Sequence, residues 1–191
     1  MTVGVDLAEE MFAYGRGVDG AALQHIQRLG ITGAAIGPLA VRQSMAAIGI
    51  AEGRIDADDI FTPGEGPRHL IQPVMLGTEV VDLVAWRSLR PEAWGLRRGT
   101  GWLLGEDALN AHFDAIGGPE PLQLHASPLD WLRASGAGAC VVDWASPEVR
   151  RLIDVEEIVV ADPRLRDVLL QTLSKPVRLP NVRVQRGRHV A

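Results

Sequence analysis

PLQLHASPLDWLRASGAGACVVDWASPEVRRLIDVEEIVVADPRLRDVLLQTL, residues 121–173, alternates short apolar runs with amphipathic stretches of helix length. PLQLHA predicts a strand. PLDWLRAS predicts a helix starting after Ser127, with Pro128 at its first position, where a missing N–H removes no helical bond. ACVVDW is a second strand, followed by SPEVRRLI with the same Ser-Pro start. EEIVVAD is a third, followed by the helix PRLRDVLLQTL. Short apolar strands alternating with helices are the pattern of βα units on a parallel sheet. The later segment PNVRVQR has the composition of an added edge strand.

Upstream the pattern differs. In AALQHIQRLGIT, Leu23, Ile26 and Leu29 recur at helical spacing, and Gly30 stops the run. LAVRQSMAAIGI reads as a second helix after Pro38, and IDADDIFTPGEGPRH as loop and turn. HLIQPVML and EVVDLVAW flank Gly77-Thr78 and predict a β-hairpin over 70–86. GEDALNAHFDAI predicts a helix with an acidic first turn, closed by Gly117-Gly118. The fold class expected is therefore α/β, with an α+β N-terminal half (1–118) carrying the hairpin, packed on a small C-terminal parallel-sheet βα-repeat half (119–191).

Composition narrows the chemistry. Of 19 Lys+Arg in 191 residues, only Lys175 is lysine, so no Walker phosphate loop can be built in the first 174 residues. A single cysteine, Cys140, excludes an internal disulfide and a Cys-rich zinc site. The longest charge-free stretch, Leu29 to Val41, is far shorter than the roughly 18–20 apolar residues of a membrane span. MTVGVDLAEEMF is acidic and lacks the basic-then-apolar signal pattern, so a cytoplasmic location is expected. Residues 175–191 form a basic tail with five cations (Lys175, Arg178, Arg183, Arg186, Arg188) and no acid, leaving the first 174 residues at a net −10. An acidic body disfavours non-specific nucleic-acid binding, because each phosphate contact wants a cation.

Several constellations carry candidate chemistry. GRGVDG, residues 15–20, matches the dinucleotide glycine spacing, but a helix precedes it and no acid stands near position 40. A helix-to-helix turn accounts for it. The five histidines show no metal-ligand spacing; His25 reads as helix surface, and His125 lies at the end of the first back-half strand. Parallel α/β sheets bind ligands at that edge. Asp143 and Asp162 each end a predicted strand, and Asp130 lies one turn into the first helix. Together they could hold magnesium, Asp162 above all, although strand-end aspartates also cap helices. Cys140 reads as a buried small hydrophobe. WRSLRPEAWGLRRGTGWLLG, residues 86–105, interleaves Trp86, Trp94 and Trp102 with Arg87, Arg90, Arg97 and Arg98. Such a patch can stack on single-stranded bases, anchor a protein interface, or be core aromatics between solvated arginines.

QRLGIT at 27–32 followed by QPVMLGTEVVDLVAWR at 72–87 resembles the segment preceding the Toprim domain in bacterial and phage primases. PLQLHASPLDWLRASGAGACVV at 121–142 is similar to the first strand and helix of that domain. The resemblance covers residues 20–173. It implies a small α/β fold in which a glutamate after the first strand acts as acid/base and an Asp-x-Asp after a later strand holds magnesium. Here the glutamate position carries Ala126, and the Asp-x-Asp position carries Asp162-Pro163-Arg164; Asp130 matches an acid of the first helix. Two carboxylates are lost, and Arg164 repels a divalent cation. The resemblance thus implies a degenerate Toprim-like domain without a cofactor. The expected function is a non-catalytic accessory or interaction protein tied to replication or a mobile element. A protein partner is expected, with nucleic-acid contact possible through the Arg/Trp patch and the basic tail, and no membrane. The rival readings are a magnesium-dependent phosphoryl or nucleotide enzyme using Asp130, Asp143 and Asp162, with His125 in reserve, and a structural assembly subunit with a tryptophan-anchored interface.

Overall fold

A computed structural model describes residues 6–115 and 120–175. The Gly117-Gly118 helix stop, the PNVRVQR strand and Arg178, Arg183, Arg186 and Arg188 lie outside the described residues. The chain is a mixed α/β fold, with an antiparallel sheet of four strands and a small sheet containing the parallel strands.

Three helices come first: α1 (Leu7–Arg16), α2 (Gly20–Arg28) and α3 (Gly33–Gln43). Each begins at a polar cap, since the carboxylates of Asp6 and Asp19 and the Thr32 hydroxyl accept backbone N–H groups of their first turns. GRGVDG is the turn between α1 and α2, with Gly17 ending one helix and Asp19 capping the next. Gly30 closes the α2 region at φ +82°, a conformation open mainly to glycine. α3 corrects the expected helix after Pro38. It starts six residues earlier, at Gly33, because Thr32 caps it, and it carries Pro38 inside.

The antiparallel sheet runs in the order β1 (Gly49–Ile55), β2 (Phe61–Leu76), β3 (Glu79–Arg87), β4 (Arg90–Leu96). The hairpin is as expected: Leu76 pairs with Glu79 around Gly77, whose φ is +59°. Of residues 55–69, expected as loop and turn, only 56–60 are so; 61–69 belong to β2. The Asp56 carboxylate accepts from the N–H groups of Asp58 and Ile60, making a tight turn, and β2 begins at the fully buried Phe61. The glycines and prolines that suggested a loop form a bulge, because Glu52 pairs with Arg68 while its neighbour Gly53 pairs with Pro63. β1, too, displaces the helical reading of residues 49–50.

The second sheet joins β5 (Leu103–Leu104), β6 (Leu122–Leu124), β7 (Cys140–Val141) and β8 (Ile158–Val160). β6 and β8 pair in parallel, β5 and β7 antiparallel. A parallel bridge between Leu124 and Ala139 links the pairs, so the order is β5-β7-β6-β8. Four helical elements surround it: α4 (Glu106–Asp114), α5 (Pro128–Arg133), a 3-10 helix (Pro147–Asp154) and α6 (Pro163–Leu173). The Ser127 and Ser146 caps with proline at the first position are as expected. SPEVRRLI is a 3-10 helix and not an α-helix. Its two buried residues, Val149 and Leu152, stand three apart, the repeat of a three-residue turn.

Side-chain alternation distributes the core. Leu70, Val74, Val84 and Trp86 point from the four-stranded sheet toward α2, α3 and α5, where Leu104, Cys140 and Val142 of the second sheet join them. Phe61, Ile71, Leu83 and Ala85 point the other way, onto Leu7 and Met11 of α1. The alternate residues of β5 and β7, Leu103 and Val141, face Leu109, Val149, Leu165 and Leu169. One cluster thus draws on residues from both sides of position 118.

Candidate functional site

β6 is central in its sheet. The chain leaves it for β7 on one side and returns to β8 on the other, so the strand order reverses between β6 and β8. Parallel sheets bind ligands outside their C-terminal edge at such a switch point. A cavity of about 450 Å³ lies there, lined by His125, Ala126, Asp130, Ala161, Asp162 and Pro163 among others. Sequence reasoning expected His125, Asp130 and Asp162 at this edge, and they share the cavity. Ala126 and Asp162-Pro163-Arg164, the two positions where the Toprim-like pattern is broken, also fall at this edge.

His125, Asp130 and Asp162 each have another engagement. The Ser127 hydroxyl donates to the Asp130 carboxylate at 2.7 Å, and Arg133 pairs with the same side chain at 3.2 Å. The Asp162 carboxylate accepts from the Arg164 N–H at 2.8 Å and caps α6. His125 Nε2 lies 2.9 Å from the Ala137 carbonyl and therefore carries its proton there. Asp143 is not part of this site. Its carboxylate accepts from the Ala145 N–H at 2.8 Å, and it lines a different cavity. Among the described residues, no group of three or more His, Cys, Asp or Glu is arranged to hold a metal ion.

The Arg/Trp stretch does not form one surface. Trp86 is fully buried and Trp102 nearly so, which makes both core aromatics. The half-buried Trp94 donates its indole N–H to the Val142 carbonyl at 2.8 Å, tying the two sheets together. Arg97 is committed to Glu10 through two bonds of 3.0 and 3.1 Å. Arg87 and Arg90 face each other across the β3–β4 turn and are exposed, as is Arg98.

Other titratable groups are structural. Burial lifts the Cys140 thiol above its ordinary pKa, with the Asp130 charge adding to the effect. His25 is exposed on α2, as expected.

Two features escaped the sequence. Asp82, in the middle of an apolar strand, is fully buried and accepts backbone N–H groups of Arg98, Thr100 and Gly101. Trp144 joins Trp94 and four acids around a cavity of about 680 Å³ beside the end of β7. A tryptophan directly after the strand-end Asp143 was the available signal.

Among the described residues, no helix is long and apolar enough to cross a membrane. Comparison of the chain with protein-family models, curated proteins and solved structures gives no match.

Proposed function

We propose that this chain is a non-catalytic accessory protein with a degenerate Toprim-like back half, acting in the cytoplasm through a protein partner in replication or in a mobile element. The observation that carries the reading is the commitment of the switch-point acids. Asp130 is held by Ser127 and Arg133, and Asp162 by the first turn of α6. A metal-dependent phosphoryl transfer needs carboxylates converging on one cation with lone pairs to spare. Here the two acids support their own helices, and Asp143, which the enzyme reading also requires, lines another cavity.

For nucleic acid, the described arginines of this stretch without an acidic partner at the β3–β4 turn are Arg87 and Arg90, whereas Arg97 is neutralised by Glu10. Trp86 has no exposed face on which a base can stack. The reading therefore assigns partner binding to protein contact, with any nucleic-acid contact weak and salt-sensitive.

Calorimetric titration with magnesium, then with single-stranded DNA at low and moderate salt, tests this. No magnesium heat at millimolar concentration is the expected result, along with DNA binding that vanishes at moderate salt. Magnesium binding in the wild type that Asp162→Asn abolishes would overturn the proposal in favour of the enzyme.

A further inference from the structure

We draw no further inference here: the strongest candidate, the Gln43 carboxamide beside the cavity of about 300 Å³ between α3, the β2–β3 hairpin and the start of α4, carries nothing, because its unpartnered oxygen is closed to solvent and nothing in the structure shows what fills the cavity.

Discussion

Replacing Asp82 by alanine should loosen the joint between the two sheets. Asp82 sits opposite Val74 in the β2–β3 ladder and is 0% exposed. One carboxylate oxygen accepts from the Arg98 N–H at 2.9 Å. The other accepts from the N–H groups of Thr100 and Gly101 at 2.7 and 2.9 Å, and from the Thr100 hydroxyl at 3.3 Å. The residues so held connect β4 of the first sheet to β5 of the second. Hydrogen bonds to a charged group contribute about 1.5–3 kcal/mol each, and a buried donor left without a partner costs a comparable amount. The three backbone bonds act on one short loop that can partly resolvate, so they do not add. The expected loss for Asp82→Ala is about 3–5 kcal/mol. For a chain of this length that lowers Tm by about 6–20 °C. Asp82→Asn keeps the shape and one acceptor oxygen, and should lose about 1–3 kcal/mol. Thr100→Ala removes only the hydroxyl contacts and should cost less than about 1 kcal/mol. Urea and thermal unfolding followed by circular dichroism measure all three. An Asp82→Ala protein within about 1 kcal/mol of wild type would refute the reasoning, because the loop would then hold itself without the carboxylate.

Three further outcomes are expected. Asp162→Ala should lose about 1 kcal/mol of stability through the missing α6 cap, whereas Asp162→Ser should restore most of it, since a hydroxyl caps equally well; equal losses in chemical denaturation would show that capping is not its role. The Cys140 thiol, raised in pKa by burial, should stay unmodified by a thiol reagent at pH 8 in the folded protein and react once in denaturant, and rapid native labelling would contradict the buried placement. His69 titrates below the ordinary histidine value because burial disfavours its charge, against the pull of the Pro67 carbonyl and with Arg87 adding to it. The unfolded chain therefore binds more protons below about pH 6.5, and stability should fall as pH drops through that region and stay level above it. His69→Phe should flatten that part of the Tm profile, and an unchanged slope would rule His69 out as its source.

What could be read in the sequence was whatever local chemistry specifies. The Ser127-Pro128 and Ser146-Pro147 starts, the Gly30 stop and the Gly77-Thr78 turn each encode a backbone conformation in two residues, and each stands where expected. β1 and the first half of β2 were not legible. Gly49, Gly53, Gly64 and Gly66 are poor strand formers; Gly49 and Gly53 pair with Ile71 and Pro63, distant in sequence, and Gly64 and Gly66 lie in the bulge. A Cβ on Gly49 would press against Tyr14 of α1, and one on Gly53 against Phe61 of the neighbouring strand. Glycine there is required by close packing, which a linear reading takes for a turn. β5 has only Leu103 and Leu104, too short for any period to show. The 3-10 helix after Ser146 shares its cap signal with an α-helix, so only the three-residue spacing of Val149 and Leu152 separates them.

Site residues divide along the same line. His125, Asp130 and Asp162 were legible because strand ends of βα units converge on one edge whatever the rest of the chain does. Asp143 obeys the same rule and yet separates from them. β7 lies on the far side of β6 from β8, so its end opens toward β4 and the Trp94 wall. Strand order decides this, and sequence order does not carry it. The consequence is functional. A single acid moved across the central strand leaves the switch point with two carboxylates, both committed to helices. It also leaves an aromatic crevice rich in negative charge and without a cation among its described residues. Arg97, held by Glu10, and Asp82, held by the backbone N–H groups of Thr100 and Gly101, are the contrasting case of charges fixed within the fold.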